Sequence, residues 1–222
     1  GTKKGFLPTM HDMKKRNLNT LLAVACLILS VTIFDDLAVA AVLEVPTQYP
    51  SISEALAASA SGDTIKVAGG TYFERITMKK GVVLEGAWSE DFTRREIGTI
   101  ETVIDGIKEK GPVVTCADDA VLDGFTIIHG TLLQTSDVSE GSGIYCNKSS
   151  PTIQNNVVKE NQPSGIYLST SSAVVLKNRV HGNEQAGVYI QKGSAVKVKE
   201  NEIWDNGYSA VGTGKKPLST VE

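Results

Sequence analysis

Cysteine, histidine and methionine are scarce, with three of each in 222 residues. No Cys/His spacing fits a zinc centre, and no metal or other cofactor is expected. Basic patches are lacking as well. Residues 1–40 carry five Lys/Arg and three Asp/Glu; without them 17 basic side chains face 22 acidic ones, a net charge near −5. That acidic balance argues against nucleic acid or an anionic membrane as partner. A helical 3.6-residue period is nearly absent, which excludes a helix-built domain. The uncharged run Leu21 to Phe34 is fourteen residues long, too short for an easy membrane span.

What is present is a repeat. GIYC (Gly143 to Cys146), GIYL (Gly165 to Leu168) and GVYI (Gly187 to Ile190) start 22 residues apart, and a degenerate Ala210-Val211-Gly212 follows after 23. An Asn recurs in each unit (Asn156, Asn178, Asn201), flanked by an aliphatic residue three before it and another two after it. A second Asn stands five further on (Asn161, Asn183, Asn206). A fixed period of this length means stacked units, each too small to bury its own apolar face. Alternating apolar residues punctuated by Gly and Asn make each unit three short strands, one coil of a parallel β-helix.

Alternation then assigns the two sides of each strand. Ile144, Ile166, Val188 and Val211 point inward, as do Cys146, Leu168 and Ile190. Coils stack at the parallel strand spacing of roughly 4.8 Å, so like residues form ladders. Asn156, Asn178 and Asn201 fall at a sharp bend, where Asn tolerates a left-handed backbone and its amide reaches the amide one coil away. These three are structural residues. The third coil has one extra residue, placed in the turn before Val198.

Upstream the pattern loosens. Val121 to Ile127 fits the template, with Leu122 and Ile127 inward and Gly130 in the slot of the second Asn. Thr64 to Val67, Gly81 to Gly86 and Thr102 to Gly106 are expected strands ending in Gly turns. Ser51 to Ala60 is the one good helical stretch, with Ser51 as N-cap and Glu54 completing a capping box. Such a helix would cover the open first coil.

The stretches "VPTQYPSISEALAAS", "GDTIKVAGGTYFERITMKKGVVLEGAW", "TVIDG" and "GSGIYCNKSSPTIQNNVVKEN" resemble right-handed parallel β-helix proteins of the pectin-lyase-like superfamily. The nearest likeness is to bacterial secreted proteins with parallel β-helix repeats, many without assigned activity. The resemblance covers residues 44 to 212 and implies an all-β, right-handed coil; for function it is weak, because solenoids host many activities. "GGTYFER" resembles the start of pectin methylesterases, but their paired Asp with Arg and Gln on later coils have no match, and Glu74 and Arg75 are assigned to the fold. The Asp clusters with which pectate lyases hold calcium are also missing, Asp118-Asp119 being one solvated turn. No catalytic residue is identified.

Location follows from the N-terminus. Lys14, Lys15 and Arg16 precede the uncharged run, and Ala38-Val39-Ala40 supplies small residues for cleavage, a secretory signal. An uncleaved anchor and a lipoprotein at Cys26 are the weaker alternatives. Residues 1–40 are therefore a leader, and 41–222 one β-helix domain in the periplasm, at the cell surface or outside the cell, with no stable membrane span after processing. Cys116 and Cys146 fall in one inward slot of successive coils. Export permits a disulfide, but in-register parallel strands orient the Cβ vectors poorly for one, which favours two buried thiols.

One outward column stands out as a working surface: Tyr145, Tyr167 and Tyr189. Aromatic faces with hydroxyls at the rim suit sugar rings. The connection Thr131 to Ser142 precedes that strand, placing Asp137 and Glu140 to line one wall. The plainer account is a self-stacking ladder of good strand residues. His129 and His181 are expected as surface residues rather than ligands. The final "TGKKPLSTVE" lacks the coil pattern and a cap, so a fragment of a longer protein is expected. These features point to an exported protein that binds polysaccharide or sits at a surface. The alternatives are a lyase, esterase or epimerase with its site in further coils, and a periplasmic accessory factor of metal-site maturation. The oligomeric state is left open.

Overall fold

The computed structural model describes Gly1 and residues 39–134, 139–191, 193–213 and 220–221. The chain divides into Gly1–Val39 and a compact unit, Ala40–Glu222. The expected leader features from Lys14 to Ala38 lie outside the described residues.

Three parallel sheets wind around one core. Sheet A runs Val42–Val45, Thr64–Ala68, Val83–Trp88, Val121–Asp123, Thr152–Gln154, Val174–Leu176, Lys197–Lys199 and Thr220–Val221. Sheet B stacks Gly70–Tyr72, Thr102–Asp105, Thr126–Ile128, Val157–Lys159, Arg179–His181 and Glu202–Trp204. Sheet C stacks Ile76–Thr77, Val114–Thr115, Ile144–Asn147, Ile166–Ser169, Ala186–Ile190 and Ser209–Thr213. From Thr64 to Thr213 the chain visits A, B and C in turn, so each circuit there adds one strand to each sheet. The one antiparallel pair among these is a hairpin, Leu132–Gln134 with Ser139–Gly141, inserted between a B strand and a C strand.

Register turns alternation into ladders. On sheet A the inward row is Leu43, Ile65, Leu84, Leu122, Ile153, Val175 and Val198, all buried. Ile104, Ile127, Val158 and Val180 do the same from sheet B, and Ile144, Ile166 and Val188 from sheet C. Burying an aliphatic side chain in full contributes about 1.5–3 kcal/mol, so these rows supply most of the driving force. The extra residue of the third coil falls between Ile190 and Lys197, as the jump in register from 22 to 23 residues places it.

Every Asn at the A-to-B bend has its hydrogen bonds made. Asn178 Nδ2 donates to Ile153 O at 2.9 Å and to Asn201 Oδ1 at 3.0 Å, while its Oδ1 accepts from Asn156 N at 3.0 Å and Asn156 Nδ2 at 3.1 Å. The left-handed backbone belongs to the residue before it, at Asn155, Lys177 and Glu200 (φ near 54° in each), which corrects its assignment to the Asn itself. A second ladder, Asn161 to Asn183 to Asn206, turns the chain from B to C. It also explains the glycine of each GIY or GVY: a Cβ on Gly165 would lie 2.8 Å from Asn183 Nδ2 and 2.7 Å from Gly187 O.

The cap is built differently from its expectation. The helix spans Ile52–Ala58, and Ser51 Oγ accepts from Glu54 N at 3.2 Å. The N–H groups of Ile52 and Ser53 are taken by Glu74, from the next coil, at 3.0 and 2.9 Å. A carboxylate at this end also complements the helix dipole. Cys116 and Cys146 form a disulfide, Cα–Cα 4.9 Å, which corrects the expectation of two thiols. Cys116 N donates to Tyr145 O at 2.8 Å, so the register of Val114–Thr115 with Ile144 and Tyr145 carries on by one residue and sets the two cysteines opposite one another.

Two outcomes test this account. Asn178→Ala orphans Ile153 O and the amide of Asn156, a buried deficit of about 1–3 kcal/mol; the urea midpoint should fall with an unchanged slope, and an unchanged midpoint would refute the ladder. Asp63 accepts from Ala60 N and from Ala41 N, each at 2.7 Å, and these bonds hold its carboxyl below the usual range. A lowered folded-state pKa adds stability above the unfolded value of about 3.9, lost as pH falls through the folded one. Asp63→Asn should therefore lower stability at neutral pH and flatten the acid limb of a stability–pH profile.

Candidate functional site

Sheet C brings the three tyrosines together because its register is unbroken: Tyr145 pairs with Tyr167, and Tyr167 with Tyr189. Their rings stack at 5.6 Å (24° between planes) and 5.1 Å (18°). Thr115 precedes them in the same row and Gly212 follows. The ring faces are thus turned on one another, within the offset-stacking range worth about 0.5–1.5 kcal/mol per pair. Ring edges and hydroxyls are what remain for a ligand. Tyr145 is only 6% exposed, while Tyr167 and Tyr189 are half-buried. Burial, and secondarily the neighbouring Tyr189, raise the Tyr167 hydroxyl pKa, so it stays a proton donor across the physiological range.

Two residues along each strand lies a polar row. Asn147 and Ser169 pair in register, and Ser169 Oγ donates to the side-chain carbonyl of Gln191. Hydroxyl and amide groups therefore run beside the tyrosines at the same coil spacing. Asp137 lies outside the described residues. Glu140 lies in the hairpin strand Ser139–Gly141, opposite Leu133.

Neither histidine is a plain surface residue. His129 Nδ1 is 2.7 Å from Asp105 Oδ1, with Nε2 3.7 Å from Glu160. His181 points outward on sheet B and stacks on Trp204 at 4.3 Å. Arg75 hydrogen-bonds the carbonyls of Gly106, Glu109 and Gly111, tying a loop to the coil. Asp118 accepts from Ser150 N, a turn contact. Among the described residues no group of three or more His, Cys, Asp or Glu could hold a metal ion. A concave surface on sheet B, lined by Lys159, Lys177, Arg179 and His181, escaped the sequence reading. Its cations come from two successive coils, Lys159 from one and Lys177 and Arg179 from the next, and its other wall is a loop with no repeat signature.

No helix among the described residues is long and apolar enough to cross a membrane. No curated protein matches the chain, nor does any solved structure. The family model of the right-handed β-helix region matches residues 65–221, the span that winds through all three sheets. With that match on a coil of three parallel sheets, the chain belongs to the right-handed β-helix family.

Proposed function

We propose that the protein is exported and binds polysaccharide on the outer face of sheet C. The observation that carries this reading is the tyrosine column with its polar edge, Asn147, Ser169 and Gln191. A ladder presents the same donor and acceptor once per coil, and a polymer with regularly spaced hydroxyls is the ligand that can meet such a series. Because the rings stack on each other, recognition falls to hydroxyls and ring edges, with hydrogen bonds worth about 0.5–1.5 kcal/mol each.

Export rests on Lys14, Lys15 and Arg16 before the apolar run and on Ala38-Val39-Ala40 at its end. A disulfide suits an oxidising compartment, whether periplasm, cell surface or medium. Ala41 N already donates to Asp63 Oδ1 at 2.7 Å. A chain cut before Ala41 keeps that donor as an ammonium facing a carboxylate, a charge-assisted bond. Mass spectrometry of protein expressed with its own leader should find Ala41 at the N-terminus; retention of Leu21 to Phe34 would overturn export by cleavage.

Tyr167 has an aromatic neighbour on both sides, so Tyr167→Ala would remove two stacks and destabilise the fold. Tyr167→Phe is the cleaner test, keeping the stack and deleting the hydroxyl. On a glycan array the Phe variant should bind several-fold more weakly than the parent, with stability unchanged within about 0.5 kcal/mol. Equal binding by the two, or no glycan bound by the parent, would defeat the proposal.

A further inference from the structure

Sheet B has a groove that the tyrosine column does not use. One wall is the segment Ile97 to Glu101, which stands out from the coil. Its position is fixed: Thr126 Oγ1 donates to Glu101 Oε1 at 3.1 Å, and Ala87 N donates to Thr102 Oγ1 at 2.8 Å. Arg95 braces the same excursion, bonding Gly86 O at 2.9 Å and Asp123 O at 3.0 Å. The floor is Thr126 and Val157, neighbours in register on successive coils. Arg179 follows Val157 in that row, and with Lys177 and Lys159 it forms the opposite wall. Small side chains between two tall walls leave a cavity of about 490 Å³, within the range of small-ligand sites.

Charge is uneven here. Lys159, Lys177 and Arg179 line the cavity against one carboxylate, Glu101, which Thr126 engages; the whole chain carries a net charge of −3. The acids that pair with these cations, Glu160, Glu200 and Glu202 at 3.3, 3.6 and 3.3 Å, are not part of the lining. Lys177 and Arg179 side chains are 56% and 59% exposed, and pairs this exposed contribute little and exchange partners readily. His181 reports the local field. Burial first, then Lys159 and Arg179, lower its pKa, against the opposing pull of Asp205 and Glu160.

We propose that this groove binds a saccharide ring bearing a carboxylate or sulfate. The anionic group meets Lys177 and Arg179, and the uncharged face of the ring covers Thr126 and Val157. The ligand class rests on the polysaccharide reading above, but the site is separate: it lies on sheet B, at the A-to-B bend, and shares no residue with the tyrosine column.

The test is an NMR titration of the His181 imidazole in the full chain, its signal identified by loss in His181→Gln. A uronic-acid disaccharide and a sulfated disaccharide are compared with a neutral disaccharide and with sodium sulfate. A bound anion beside Lys159 and Arg179 should raise the His181 titration midpoint, and whichever acidic sugar does so names the anionic group. The neutral sugar should have no effect. Affinity should fall at least tenfold in Lys177→Ala/Arg179→Ala and in Lys177→Gln/Arg179→Gln, and stay at the parent value in Tyr167→Phe. Three results overturn the proposal: no probe moves His181; both double variants bind like the parent; or sodium sulfate moves it equally, an adventitious ion only. Tyr167→Phe weakened on the glycan array, with both double variants unaffected in the titration, would remove the groove and leave the sheet C reading standing; array binding by Tyr167→Phe equal to the parent, with His181 still shifted by an acidic sugar, would remove the sheet C reading alone.

Discussion

At the bend between sheets A and B, one amide oxygen accepts both the backbone and the side-chain N–H of the coil before it. Asn178 does this for Asn156, and Asn201 does it for Asn178 at 2.8 and 3.0 Å. A coil displaced by one residue would bury several amide groups without partners, each costing about 1–3 kcal/mol. The same slip would also turn a whole inward row toward water, because strand alternation has a period of two. Bend and core therefore enforce the same register. The ladders on the outside, tyrosine and polar, exist because that register is held on the inside.

The sequence disclosed the elements whose physics repeats. The 22-residue period, the Asn positions and the inward aliphatic residues all follow from one coil being copied. Where the coil is not copied, the sequence is silent. Glu74 caps a helix that begins 22 residues before it, and nothing local in "TYFER" marks that partner. The disulfide was legible as a neighbour relation, since Cys116 and Cys146 share one slot of successive coils, but not as a bond. Phe125 replaces Asn at the start of the ladder, its N–H donating to Asn156 Oδ1 at 2.9 Å, so the coil that begins at Val121 joins the series without its signature residue.

Legibility of the candidate surfaces divides along the same line. The tyrosine column could be placed because all three residues occupy one slot of the repeat. The self-stacking ladder, the plainer account offered by the sequence, is what the rings form, and it leaves a row of aromatic edges where separate rings would present faces. The sheet B groove could not be placed at all. Its floor comes from the repeat, yet its depth comes from the excursion Ile97 to Glu101, and the cations opposite are chosen coil by coil rather than repeated.

The two proposed faces differ in what would hold a ligand, and ionic strength separates them. Tyr167, Ser169 and Gln191 carry no charge at neutral pH, so contacts on sheet C are short-ranged hydrogen bonds that salt leaves almost untouched. Lys177 and Arg179 act through an exposed field, screened over about 8 Å at physiological ionic strength. Sheet B is thus the face whose attraction for an anionic ligand weakens as salt rises. A single polymer long enough to cross the B-to-C bend would add the two kinds of contact only if its anionic groups fell beside Arg179 while its hydroxyls fell beside Tyr167. Those side chains stand on different sheets, so a segment touching both must follow the coil around that bend. As proposed, the faces would serve separate stretches of ligand, and any gain from using both would be one of effective concentration rather than of new contacts.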